Sequence, residues 1–93
     1  MDYEWDPNKN QEIQEKHGIS FDEVINLIGK GFLWKTVGNP SHKYKGQKIL
    51  LVRKSRSIYM VPFENREGKC RLITAFYSKY FTEQYSSKVV DDE

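Results

Sequence analysis

Apolar residues recur at helical spacing most clearly in residues 20–30, which predicts an amphipathic helix with one buried face. The apolar stripe consists of Phe21, Val24, Ile25, Leu27 and Ile28. Residues 7–17 are mostly polar, and Ile13 is their one aliphatic side chain. We therefore predict two helices, of which the first contributes little apolar surface to the core.

The residues that flank these stretches predict where the helices begin and end. Asp6 can cap the first helix, and Pro7 suits its first turn because a helix does not use that N–H group. Gly18 can take the left-handed conformation that ends a helix. Ser20 and Glu23 have the spacing of a capping box at the start of the second helix.

The second half of the chain has the patterns of strands. Residues 49–52 are a continuous apolar run, as in a buried strand. In residues 57–63, Ile58 and Met60 share one face and Tyr59, Val61 and Phe63 share the other. The predicted strands are residues 3–5, 32–37, 47–54, 57–63 and 69–76, with loop or turn signals at 38–41, 53–57 and 65–68. Ser78 can cap a closing helix that ends near Ser87.

This order of elements predicts an α+β domain. Consecutive strands joined by short turns form an antiparallel meander, and helices on one face give a two-layer arrangement. We expect the apolar stripe of residues 20–30 to pack against Leu50, Val52 and either Ile58 or Met60 of this meander. The opposite face needs cover from the last helix, a partner or solvent. We expect one domain over residues 1–88 and a frayed acidic tail over 89–93.

Composition narrows the class of protein. The chain has 93 residues, of which 38% are hydrophobic and 14% aromatic, enough for one modest core. No apolar run approaches the length of a membrane span and no signal peptide opens the chain, so we expect no membrane contact and a cytoplasmic location. The single cysteine, Cys70, excludes an internal disulfide, and we expect a buried, inert thiol.

Charge is unevenly spread along the chain. Residues 1–40 hold four Lys and Arg against seven Asp and Glu, a net −3. Residues 41–80 hold ten against two, a net +8, and residues 81–93 hold one against four, a net −3. A basic middle indicates a surface that attracts phosphates or an acidic partner. The alternative is that these cations occupy the outward faces of strands.

The motifs of common enzyme classes are missing from the sequence. It has no Gly-rich phosphate loop, nucleophile elbow or paired metal ligands, so we expect no cofactor and no metal site. RNA cleavage without a metal needs only a proton acceptor, a proton donor and cations that stabilise the phosphorane. The basic segment supplies such groups.

Several stretches resemble the BrnT-type toxins of type II toxin–antitoxin pairs, over nearly the whole chain. The similar stretches are Trp5-Asp6-Pro7-Asn8-Lys9, residues 16–23, Asn39-Pro40, residues 44–51 and residues 59–63. The resemblance implies a RelE-like fold and an endoribonuclease that acts on mRNA. It also implies a ribbon-helix-helix antitoxin as the neutralising partner, in a heterotetramer.

Lys79 is the foremost candidate for the catalytic site. It falls where the BrnT-like pattern has an Arg near the start of the last helix, and Lys lacks the bidentate fork of Arg. Phe81 stands where the family has a small residue. A solvated lysine on a helix face is the alternative for Lys79.

The other candidates each have a structural alternative. His17 and His42 are possible proton carriers, although His17 also suits the last turn of a helix as a cation. Arg53 and Arg71 can assist Lys79 if their strands lie together, or form ion pairs with Glu64 or Glu67. The predicted RNA-binding residues are Lys43, Lys45 and Lys48, which steer the substrate, and Tyr77 and Tyr80, which stack on bases or pack the last helix.

Three functions fit these observations. The first is a toxin that cleaves RNA, alone or on the ribosome. The second is a non-enzymatic or degenerate toxin-like module that binds a DNA-binding antitoxin and acts in autoregulation. The third is a plain nucleic-acid-binding domain, against which the small net charge counts.

Overall fold

The computed structural model describes residues 2–38 and 47–91, and side chains as far as residue 87. In chain order the elements in these residues are β1 (Tyr3–Glu4), α1 (Pro7–His17), α2 (Phe21–Gly29), β2 (Leu33–Gly38), β3 (Lys48–Lys54), β4 (Ser57–Arg66), β5 (Lys69–Leu72), β6 (Phe76–Ser78) and α3 (Lys79–Asp91). The predicted α+β class is confirmed. α3 continues four residues beyond its predicted end at Ser87, so residues 89–91 are helical.

The strands form one open sheet in the order β1-β5-β4-β3-β2, and β6 also pairs with β4. β2, β3, β4 and β5 are antiparallel neighbours in chain order, which confirms the meander. β1 lies parallel to β5, with Tyr3 opposite Cys70. The sheet is therefore mixed, because β1, whose place in the sheet was not predicted, adds a parallel edge to the antiparallel meander.

The predicted last strand is divided into β5 and β6. Phe63 is opposite Leu72 and Met60 is opposite Phe76, so residues 73–75 face only residues 61–62 of β4. The carbonyl of Pro62 accepts a hydrogen bond from the N–H of Ile73 at 2.9 Å. In an antiparallel strand, the N–H and C=O of one residue point to the same neighbouring strand. Proline has no N–H, so Pro62 cannot donate the second hydrogen bond to residues 73–75, and the pairing is interrupted there.

Apolar side chains line both faces of the sheet. The face under α1 and α2 holds the larger core cluster, in which Phe21 and Val24 of α2 join Leu50 and Val52 of β3. The opposite face holds Ile49, Leu51 and Ile58, against which Phe81 and Tyr85 of α3 pack.

This second cluster corrects two predictions. The domain has three layers where α3 covers the sheet, whereas two layers were predicted. We also expected the α2 stripe to reach Leu50, Val52 and either Ile58 or Met60. The first two are in its cluster, but Ile58 and Met60 lie on the α3 face.

The predicted ends of α1 and the predicted start of α2 are confirmed. The carboxylate of Asp6 accepts the N–H of Asn8 at 2.8 Å, and Gly18 ends α1 at φ +68°. The Ser20 hydroxyl accepts the N–H of Glu23 at 3.0 Å. The other half of the predicted capping box differs, because the carboxylate of Glu23 binds Lys54 instead.

α3 is fixed to the sheet at its first turn. Ser78 caps it as predicted, since its hydroxyl accepts the N–H of Phe81 at 3.1 Å. The hydroxyl of Thr82 accepts the N–H of Ile58 at 2.8 Å. These two bonds set the position of Lys79, the first residue of the helix.

Two further observations concern the whole described chain. None of its helices is long and apolar enough to cross a membrane. Cys70 is buried as predicted, and burial raises the pKa of its thiol, which keeps it in the less reactive protonated form.

Candidate functional site

Three segments that are distant in sequence meet at one end of the sheet. The β3–β4 hairpin turns there through Ser55 and Arg56, with Ser55 at φ +57°. β6 pairs with the start of β4, placing Ser78 opposite Ile58. Lys54 contacts the C-terminal end of α1. We call residues 17–18, 53–57 and 77–80 together the hairpin end.

The β6–α3 junction contributes one exposed cation between two exposed phenols. Tyr77 is 45% exposed and Tyr80 is 64% exposed, and Lys79 between them is exposed too. The Tyr77 ring lies 6.1 Å from the ring of Tyr59, and the Tyr80 hydroxyl accepts a hydrogen bond from Gln84 at 2.7 Å. Both rings face solvent, whereas Tyr85 of α3 packs against the sheet.

His17 reaches the same end as the last residue of α1. Its imidazole is exposed, with the ring centre 6.3 Å from that of Phe76, the residue before Tyr77. The fold therefore brings His17 and the β6–α3 junction to one end of the molecule, as a shared site requires.

Lys54 holds the end of α1 in place. Its ammonium lies 3.0 Å from a carboxylate oxygen of Glu23 and donates to the carbonyl of Gly18 at 3.0 Å. That carbonyl belongs to the C-terminal end of a helix, where a cation is favourable. Lys54 thus ties α1 and α2 to the hairpin and fixes the backbone beside His17.

Arg53 is at the hairpin end but points to the α3 side of the sheet. Its guanidinium carbon lies 4.3 Å from the centre of the Phe32 ring, and Nη1 donates to the carbonyl of Ser55 at 2.8 Å. The side chain lines a cavity shared with Trp34 and Tyr85. Arg53 therefore lies near Lys79 along the sheet, but its guanidinium contacts Phe32 and Ser55 on the α3 side.

Arg71 does not join this group. It is opposite Glu64, whereas Ser78 is opposite Ile58, so about 20 Å of β4 separates Arg71 from the residue before Lys79. Arg71 instead lies 3.7 Å from a carboxylate oxygen of Glu4, a partner that was not predicted. The condition under which Arg71 would assist Lys79, that their strands lie together, is therefore not met.

Lys48 is also remote from Lys79. It begins β3 and lies opposite Phe63, while Lys54 at the other end of the strand lies opposite Ser57. About 20 Å of strand separates the two lysines. Lys48 and Arg71 show that the predicted basic segment is divided between two ends of the sheet.

Three predicted residues, His42, Lys43 and Lys45, lie outside the described residues. Within residues 2–38 and 47–91, no three His, Cys, Asp or Glu side chains converge as metal ligands would. A cavity of about 400 Å³ between β1 and α2, lined by Trp5, Ile25 and Lys69, contains none of the predicted site residues.

Sequence reasoning missed Lys54 and Arg56. The signal that could have identified them is the short polar break between two apolar runs, which places both cations beside the tip of a hairpin. The bond from Lys54 to Glu23 could not be foreseen, because the spacing of Ser20 and Glu23 assigns that carboxylate to a capping box.

The hairpin end combines the chemical groups needed for phosphodiester cleavage. Imidazole and phenol can transfer protons, and ammonium groups can stabilise a charged phosphorane. Lys54 and Lys79 flank the start of β4, about 10 Å apart across two strand spacings. Of the two, Lys79 is the exposed cation, since the Lys54 ammonium is held by Glu23 and the Gly18 carbonyl.

Comparison with known proteins adds no assignment. No protein-family model matches the chain, and no curated protein matches its sequence.

Proposed function

We propose that this chain is the toxin of a type II toxin–antitoxin pair and cleaves mRNA at the hairpin end. The observation that carries the proposal is the meeting of His17, Tyr77 and Lys79 at one end of the sheet. These residue types suffice for transesterification at a ribose 2′-hydroxyl without a metal ion or cofactor.

Each residue has a role that its surroundings permit. The ammonium of Lys79 is exposed and would stabilise charge on the phosphorane. Tyr77 and Tyr80, which precede and follow it in the chain, have exposed phenol rings on which bases would stack. His17 would accept the proton of the ribose 2′-hydroxyl and donate it to the leaving 5′ oxygen. Arg53, at the same end but on the α3 side of the sheet, would assist Lys79 in stabilising the charge on the phosphorane. Arg71 has no role in the proposal because it lies too far from Lys79.

The proposed partner is a ribbon-helix-helix antitoxin that forms a heterotetramer with the toxin. The resemblance to BrnT-type toxins supports this partner, and exposed cations and phenols are groups that an acidic protein segment can cover. Bound antitoxin would then exclude RNA from Lys79.

A non-enzymatic, antitoxin-binding module is the second candidate function. The observation in its favour is that, among the described residues, no carboxylate or carbonyl oxygen orients the imidazole of His17. Active sites that use an imidazole base commonly orient it with such a group. The Lys54 ammonium is likewise already engaged by Glu23.

Expression in a bacterial host separates the two functions. We expect wild type to arrest growth, Lys79→Ala to relieve the arrest, and co-expression of a ribbon-helix-helix antitoxin, sought in an adjacent gene, to rescue it. Lys69→Ala, an exposed lysine on β5, is the matched control and should arrest growth like wild type. Growth without arrest, together with a stable complex on gel filtration, would favour the non-enzymatic module.

A further inference from the structure

A groove runs between the edge strand β2 and helix α3, away from the His17 side of the hairpin end. One part is a cavity of about 300 Å³ whose lining includes Phe32, Arg53 and Tyr85. The next part is a cavity of about 280 Å³ lined by Lys35, Gln84, Ser87 and Trp34. Trp34 lines both cavities, and we call them together the β2–α3 groove.

An irregularity in β2 places Trp34 in the groove. Leu33 is opposite Val52 and Lys35 is opposite Leu51, so two steps along β2 match one step along β3. Trp34 is the extra residue of this β-bulge. Bulges redirect side chains and are common beside functional sites. Here the bulge turns the indole toward α3, where its ring meets that of Tyr85 edge-on at 5.2 Å.

The cations of the groove rest on aromatic rings. The guanidinium of Arg53 lies 4.3 Å from the Phe32 ring centre, and the ammonium of Lys35 lies 4.5 Å from that of Trp34. In the part of the chain that the structure describes, neither cation forms an ion pair with a carboxylate. Residues 24–63, which include β2 and β3, contain eight Lys and Arg and no Asp or Glu. The opposite wall, α3, carries Glu83, so the side of the groove that is suited to an anion is its β2 wall.

We infer that the β2–α3 groove binds single-stranded RNA, with a base beside Trp34 and flanking phosphates on Lys35 and Arg53. The inference rests on the proposed function and adds to it a binding surface apart from Lys79. Lys35 is exposed, so its ammonium can move from the indole face to a phosphate while a base takes its place. Base–aromatic stacking and cationic contacts to the backbone together are typical of single-strand binding.

The shape and lining of the groove favour RNA over an acidic peptide. Both ligands would satisfy the two cations, but only a nucleotide also brings a planar ring for the indole and for the exposed side of the guanidinium. The amide of Gln84 and the hydroxyl of Ser87 can hydrogen-bond to the edge of a base. The larger cavity is at the lower end of the size range of small-ligand sites, which suits one nucleotide.

The test is binding of a dye-labelled 2′-O-methyl oligonucleotide, which cannot be cleaved, measured by fluorescence anisotropy. We expect Trp34→Leu to weaken binding about 5- to 100-fold, from the energy of one stacked base. Lys35→Gln and Arg53→Gln should each weaken it several-fold and reduce its salt dependence. Lys69→Gln, a cation on β5, is the matched control and should bind like wild type.

Tryptophan fluorescence gives an independent readout. The chain has two tryptophans, and Trp5→Phe leaves Trp34 as the single reporter. The oligonucleotide should quench Trp34 with the same dissociation constant that anisotropy gives. If Trp34→Leu fails to fold, the two charge variants, whose side chains lie at the surface of the groove, still decide the result.

Two results would overturn the inference. One is equal binding by Trp34→Leu, Lys35→Gln, Arg53→Gln and wild type. The other is quenching of Trp34 by an acidic peptide but not by RNA. Failure of the proposed function can be distinguished from failure of the inference. If the protein binds the oligonucleotide through the groove but cuts no RNA, the proposed function fails and the inference stands. If it cuts RNA with the same KM in every groove variant, the inference fails.

Discussion

Replacing Lys54 by Met should destabilise the protein by about 0.7–2.5 kcal/mol. An ion pair of this kind contributes about 0.2–1 kcal/mol, since the side chains of Lys54 and Glu23 are 32% and 36% exposed and solvent screens them. The hydrogen bond to the Gly18 carbonyl adds about 0.5–1.5 kcal/mol. Met keeps the apolar stem, so the loss reports the ammonium.

The assay is urea unfolding followed by far-ultraviolet circular dichroism, with Glu23→Gln and the double variant completing a mutant cycle. Glu23→Gln should cost less than Lys54→Met, because it leaves the bond to Gly18 in place. Lys48→Met, an exposed lysine on the same strand, is the control and should cost less than about 0.5 kcal/mol. Equal losses for Lys54→Met and Lys48→Met would refute the reasoning that Lys54 joins the helices to the hairpin.

Further predictions concern the α3 side of the sheet and the buried titratable groups. Leu51→Ala should lower the free energy of unfolding by about 2–5 kcal/mol in urea, because Leu51 is 0% exposed. Thr82→Val should lower it by about 1–3 kcal/mol in the same assay, since the N–H of Ile58 loses its acceptor. Burial raises the pKa of Tyr3, with a smaller contribution from Cys70, and burial also raises the pKa of Cys70. The unfolded chain releases these protons at lower pH than the folded chain does, so stability should fall from about pH 9 upward. The fall in thermal midpoint should be smaller in Cys70→Ala and Tyr3→Phe, and an unchanged fall would contradict this assignment.

Local signals allowed most of the fold to be predicted. Asp6, Gly18 and Ser20 act on neighbouring residues, so the sequence alone fixes the ends of α1 and the start of α2. The alternation of Ile58 and Met60 with Tyr59 and Val61 assigns the two faces of β4 for the same reason. The division between β5 and β6 was missed because it depends on Pro62, a residue of another strand.

The site was harder to predict because it depends on contacts between distant segments. Arg53 and Arg71 both alternate onto the α3 face of the sheet, yet the register of β4 places them about 20 Å apart. This register cannot be derived from the hydrophobic periodicity of the strands or from the number of charged residues. The same limit applies to Trp34, whose place in the groove follows from a bulge between β2 and β3.

Cleavage of RNA by the purified protein in EDTA tests the central claim most directly. We predict that wild type cuts, that Lys79→Ala is slower by about 100- to 1000-fold, and that Lys69→Ala equals wild type. Lys79→Arg should cut at least as fast as wild type, because its fork binds a phosphate at two points. Loss of all cleavage in EDTA, or equal rates for Lys79→Ala and wild type, would contradict metal-independent cleavage at the hairpin end.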